Sequence, residues 1–151
     1  MAAMAEAVVD ASVAAKWLLR DESDTAIADA LLRRCDAGDL LFYAPEQIDV
    51  EIAASLRRAV LNERISAVAA EQSLAHWLGP LRTRLRLATN IDLLPLALPR
   101  SLALGVTLFD ALYVVLAEEL RVPLIVADDR LVRSSVAGLP FVRALRSLGL
   151  S

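Results

Sequence analysis

The chain is poor in cysteine, histidine and lysine: Cys35, His76 and Lys16 are the sole examples among 151 residues. One cysteine cannot close an internal disulfide, so a reducing, cytoplasmic setting is expected. One histidine leaves no partner for catalysis by paired imidazoles. His76 also stands far along the chain from the acidic residues discussed below. Cys35 has no base near it in sequence, which argues for a packed thiol rather than a nucleophile. No glycine-rich phosphate loop occurs. The longest apolar stretch, Ser101 to Ala117, is too short for a membrane span and carries Asp110 near its middle. Met1 to Ala7 holds Glu6 and no basic cluster, so it does not read as a signal peptide.

What is present points to a folded domain. Hydrophobic residues make up 57% of the chain, which argues against disorder. The length suits a single domain over 1–151 with a proper core. The net charge of −3 argues against coating nucleic acid by bulk charge. The basic side is nearly all arginine, and six arginines fall between Arg57 and Arg86. They read equally well as solvated helix faces or as a local basic surface.

Short apolar runs alternate with helical patterns. Strands are expected at Ala7–Asp10, Leu40–Tyr43, Ile91–Leu94, Leu124–Ala127 and Phe141–Val142. Helices are expected at Ser12–Leu19, Ser23–Ala37, Pro45–Asn62, Ser66–Leu78, Ala97–Leu104, Leu108–Leu120 and Asp129–Val136. Pro45 is placed at the first helical position, and Ser66 caps its helix. Strands that are apolar without alternation belong to a parallel sheet covered on both faces. The fold class is therefore α/β, a three-layer α/β/α sandwich around a short parallel sheet. Ligands in such folds bind outside the carboxyl ends of the strands.

Four acids occupy that end or its surroundings. Asp10 closes Ala7-Val8-Val9, Asp128 closes Leu124-Ile125-Val126-Ala127, Asp110 lies in apolar sequence, and Glu51 falls on the edge of a buried helix face. Singly, each aspartate also reads as a helix cap, and Glu51 as a surface salt bridge to Arg58 or a contact with Ser55. Asp129 is an alternative to Asp128. Asp49 reads as structural, and Glu46 points away. Gathered together, the acids repel strongly in a poorly solvated site. A hard dication, Mg²⁺ or Mn²⁺, relieves that repulsion with oxygen ligands. Such a site suits phosphoryl chemistry. Two other phosphoryl-transfer readings fail: Ser12 stands where a dehalogenase-type phosphatase wants a second aspartate, and no lysine follows Lys16 as a receiver domain requires.

The fragments Val8-Val9-Asp10-Ala11-Ser12-Val13 with Lys16-Trp17-Leu18, Pro45 with Glu51 and Leu56-Arg57-Arg58, Thr107-Leu108-Phe109-Asp110-Ala111-Leu112-Tyr113 with Ala117, and Val126-Ala127-Asp128-Asp129-Arg130-Leu131 resemble the PIN-domain family. Within it they are most similar to VapC-like toxins of type II toxin–antitoxin pairs. The resemblance spans nearly the whole chain in order and spacing. It implies a Mg²⁺-dependent endoribonuclease that hydrolyses RNA phosphodiester bonds with metal-activated water. Asp10, Glu51, Asp110 and Asp128 would be its catalytic acids, with Asp10, Asp110 and Asp128 on the metal. Ser12 and Thr107 would support them, and Lys16, Arg57 and Arg82 are candidate RNA contacts. The resemblance also implies a VapB-like antitoxin partner and a homodimer, with Ala97 to Gly105 a candidate interface. The chain departs from the family pattern at Ala54, where asparagine is common, and at Val126, where threonine is common. The alternative function is a catalytically silent PIN-like binding or regulatory module.

Overall fold

The computed structural model describes residues 5–128, 131 and 135–149. Five strands form one sheet: β1 (Ala5–Val9), β2 (Leu40–Pro45), β3 (Leu85–Ala88), β4 (Leu124–Val126) and β5 (Val142–Ala144). They run parallel in the order β3-β2-β1-β4-β5. The α-helices are α1 (Ala11–Ala14), α2 (Thr25–Asp36), α3 (Ile48–Leu61), α4 (Ala67–His76), α5 (Asn90–Leu104) and α6 (Leu108–Leu120). Successive residues of a strand face opposite sides. Ala7, Val8 and Val9 of β1 and Leu124, Ile125 and Val126 of β4 are all buried. Both faces of the central strands are therefore covered, which gives the expected three-layer α/β/α arrangement.

Helix α6 explains much of the core. Every residue from Asp110 to Ala117 is buried, as expected for a helix packed all round. It lies against β1, β2 and β4 on one side and α5 on the other. A second knot of packing joins Trp17, Trp77 and Phe42. The two indoles stack with centroids 6.5 Å apart, and Phe42 lies 5.6 Å from Trp17. Trp17 Nε1 donates to Ala28 O and Trp77 Nε1 donates to Asp49 Oδ1, each at 2.9 Å. Both indoles are thus core residues with satisfied polar ends.

The local structure corrects several sequence expectations. Ile91–Leu94 is not a strand but the first turns of α5, and the third strand is Leu85–Ala88. Pro95 and Pro99 lie inside α5 at exposed positions. Proline usually marks a helix boundary, which hid the single helix from Asn90 to Leu104. At its start, Thr89 Oγ1 bonds to Asp92 Oδ2 at 2.5 Å. Pro45 ends β2 in register with Ala88 instead of opening α3, which starts at Ile48. The last strand is Val142–Ala144 rather than Phe141–Val142. The expected helix Asp129–Val136 lies largely outside the described residues, as do Asp129 and Arg130. Ser66 caps α4 as expected, its hydroxyl accepting from Ala69 N at 3.0 Å. Among the described residues no single helix is long and apolar enough to cross a membrane.

Asp49 is tied into this framework. Its carboxylate accepts from the Trp77 indole and, at 2.9 Å, from Arg82 Nε. Asp49→Ala leaves a fully buried indole N–H without an acceptor. It is expected to lower unfolding free energy by about 1–3 kcal/mol, measured by urea titration, while leaving the acidic cleft described next unchanged.

Candidate active site

The chain builds the sheet outward from β1 through β2 to β3, then returns to the other side of β1 for β4 and β5. The direction reverses between β1 and β4, where doubly wound folds open a crevice. Asp10 follows β1 directly. Its backbone is extended (φ −75°, ψ 155°), and its carboxylate caps α1 by accepting from Ser12 N at 3.2 Å. Its own N–H donates to Ile125 O of β4 at 3.0 Å. Ser12 then locks the crevice. Its hydroxyl donates to Asp10 Oδ2 at 2.5 Å and accepts from Ala127 N at 3.0 Å and Asp128 N at 3.2 Å. One donor and two lone pairs are all used, and the carboxyl ends of β1 and β4 are joined through one side chain.

The other two acids come from helices. Asp110 is the third residue of α6, and Thr107 fixes the start of that helix by accepting Asp110 N on Oγ1 at 3.1 Å. Thr107, rather than Asp110, is therefore the cap. Glu51 lies in the first turns of α3. Its Oε1 accepts from Tyr113 Oη and from Gln47 Nε2, both at 2.8 Å. No ion pair to Arg58 forms among the described residues. Asp10, Glu51, Asp110 and Asp128 all line one cleft of about 550 Å³, together with Ser12 and Lys16.

The electrostatics of the cleft are strongly acidic. Asp10 is 4% exposed. Burial, reinforced by the charges of Glu51 and Asp110, pushes its pKa up to about 7 despite the opposing hydrogen bonds from Ser12. Burial raises Glu51 as well, with the Tyr113 and Gln47 bonds pulling the other way. The Tyr113 hydroxyl is driven well above its ordinary range by burial and by the charges of Asp10 and Glu51. It therefore stays protonated and remains a donor to Glu51.

Of the expected contact residues, Lys16 reaches the cleft but is engaged. Its Nζ donates to Ser23 O at 2.8 Å and lies 3.5 Å from Glu22. Arg57 is exposed and lies outside the cleft lining. Arg82 is held by Asp49, also outside the cleft. Arg58 lines it instead. Gln47 and Tyr113 were not singled out as site residues by the sequence. Both stand at helical spacing from an acid, Gln47 four before Glu51 and Tyr113 three after Asp110, and that spacing is the signal that finds them. Glu46 bonds Asn90 N at 2.9 Å and belongs to the framework.

The donor set is hard: carboxylate oxygens, with no cysteine or histidine in the lining. That chemistry fits Mg²⁺ or Mn²⁺. The spacing is wider than a coordination sphere, since among the described residues no three acidic, cysteine or histidine side chains stand close enough to hold an ion.

With this geometry in view, the likeness to known proteins is specific. Ribonuclease VapC1 of Mycobacterium tuberculosis is 32% identical over 137 residues, covering 91% of this chain and 95% of that protein. Ribonuclease VapC9 of the same species is 31% identical over 133 residues, covering 88% and 94%. The chain belongs to the VapC ribonuclease family. No family model matches it. The crystal structure of PAE2754 from Pyrobaculum aerophilum superposes with a TM-score of 0.67 at 22% identity, over 95% of this chain and 86% of that one, in agreement with a PIN-like fold. Within the VapC family pattern this chain's two departures differ in kind. Val126 is fully buried in β4, whereas Ala54 is exposed on the cleft wall and offers no side-chain hydrogen bond.

The raised pKa of Asp10 fixes a pH dependence. Below its unfolded value of 3.8 both states carry the proton. Between that value and about 7 the folded state binds the proton more tightly, so stability falls as pH rises, and it levels off above 7. The cation-free protein is expected to melt at lower temperature at pH 8 than at pH 5.5. Asp10→Asn is expected to flatten most of that dependence in a series of thermal melts.

Proposed function

We propose that the protein is a Mg²⁺- or Mn²⁺-dependent endoribonuclease, acting in the cytoplasm as the toxin of a type II toxin–antitoxin pair. The observation that carries this reading is the gathering of Asp10, Glu51, Asp110 and Asp128 into one cleft at the β1–β4 crevice of a chain in the VapC ribonuclease family. A divalent ion bound there would offset the mutual repulsion of the acids and supply positive charge to the scissile phosphate. Asp10, Asp110 and Asp128 would hold it, drawing inward from their present spacing. Ser12 keeps Asp10 and the end of β4 in place. Glu51, with Oε1 held by Tyr113 and Gln47 and its proton affinity raised by burial, takes the proton of the attacking water. Cleavage leaves 5′-phosphate and 3′-hydroxyl ends. The substrate is single-stranded or loop RNA, whose splayed backbone enters an open cleft.

Two partners complete the proposal. One is a VapB-like antitoxin that places a segment in the cleft, where a basic side chain meets the acids. The other is a second copy of this chain. Support for self-association comes from α5, where Ile91, Leu94, Leu98 and Leu102 recur at helical spacing, all exposed, up to 79% for Ile91. Phe109, just beyond the helix, is exposed as well. A contiguous apolar face of this kind marks a protein interface. Its near absence of charge suits a like surface better than a charged one.

Cleavage of labelled single-stranded RNA with Mg²⁺ or Mn²⁺ tests the activity. Asp10→Asn and Asp110→Asn are each expected to lower the rate by at least ~100-fold, and a chelator to abolish it. Protein that binds the ions yet cuts no RNA would instead be the silent PIN-like module. Leu98→Asp with Leu102→Asp is expected to convert a dimer to a monomer in light scattering without loss of helicity. An unchanged mass would remove α5 from the interface.

A further inference from the structure

Among the described residues that line the cleft two are cationic, Lys16 and Arg58, and they differ in availability. Lys16 is buried and committed to Ser23 O and Glu22. Arg58 is exposed and has no acidic partner among the described residues. Among the described arginines, Arg64 is engaged with Asp21 and Arg82 with Asp49. Position explains why Arg58, and not its neighbour Arg57, reaches the cleft. Glu51, Ser55 and Arg58 lie at i, i+4 and i+7 on α3, one stripe of the helix, and all three line the cleft. Seven residues advance about 10 Å along a helix axis. Helical side chains tend to lean toward the amino end, and from Arg58 that is the direction of Ser55, Ala54 and Glu51. The wall between Glu51 and Arg58 is formed by Ala54 and Ser55, small side chains that leave the arginine unobstructed.

A cleft rich in carboxylates repels an incoming polyanion. One uncommitted guanidinium at its edge, separated from the acids along α3, matches a backbone phosphate next to the cleaved bond. Guanidinium is also the side chain best shaped for a phosphate, through paired hydrogen bonds. We propose that Arg58 is the RNA-positioning residue of this protein, gripping a phosphate flanking the scissile one and holding the strand along α3. This rests on the ribonuclease reading above and adds to it the side chain that fixes the strand's register in the cleft.

The test uses the full chain and one single-stranded RNA oligonucleotide, with cleavage followed in Mg²⁺ and binding followed in Ca²⁺, an oxygen-seeking dication of looser geometry, for wild type, Arg58→Ala, Arg58→Lys and Arg57→Ala. Arg58→Ala is expected to weaken binding in Ca²⁺ and raise KM in Mg²⁺, each about tenfold. Its kcat is expected to change little, and the slope of log affinity against log salt to fall by about 1. Arg58→Lys should recover part of the loss, and Arg57→Ala should match wild type. If wild type cleaves and Arg58→Ala binds, cleaves and responds to salt identically, the positioning role is overturned and the ribonuclease reading survives. If Arg58→Ala weakens binding but wild type cuts nothing, the grip stands and the ribonuclease reading falls. If wild type neither binds nor cuts, both fall. Equal melting temperatures for the variants, expected at an exposed position, exclude misfolding as the cause.

Discussion

Carboxylates that repel one another are held together at the carboxyl ends of β1 and β4, and much of the architecture exists to hold them there. Asp10 is nearly inaccessible to water and senses both Glu51 and Asp110, which is why it keeps its proton toward neutrality. An isolated protein tolerates this by protonation. A dication, had it bound as proposed, would relieve it without protonation, because hard oxygen donors are what such an ion prefers.

Rigid devices keep the acids from dispersing. Ser12 joins two strand ends through one hydroxyl, Thr107 sets the first turn of α6, and Tyr113 with Gln47 fixes one oxygen of Glu51. Each is anchored in an element that the apolar core holds independently. α6 is packed on all sides, and β1 and β4 are covered on both faces. The core therefore supplies the stability that the charged cleft subtracts.

The distribution of arginine has the same logic. Arg20 pairs with Asp29, Arg64 with Asp21, Arg82 with Asp49, Arg84 with Asp36 and Arg100 with Glu118, all outside the cleft lining. Such exposed pairs contribute ~0–1 kcal/mol apiece. Their consequence is that no described arginine neutralises Asp10 or Glu51. The one arginine of the described lining, Arg58, stands two helical turns from Glu51. Glu51 and Arg58, charges of opposite sign, thus stand apart on one face of α3.

The sequence alone determined the alternation of strands and helices, the parallel sheet, and the acids that end β1 and β4, since these follow from local periodicity and from carboxylates closing apolar runs. It placed Glu51 on the edge of a buried face and set Asp49 aside, both from the wheel of α3. It missed the extent of α5, because Pro95 and Pro99 break the local pattern of a helix that tertiary packing keeps whole. Only the tertiary structure decided that Tyr113 rather than an arginine holds Glu51 across 62 positions of chain, and that Arg58 rather than Arg57 or Arg82 lines the acidic cleft. Periodicity reports which side of an element is buried. It cannot report which element lies opposite, and that is set by how α3 and α6 pack on the sheet.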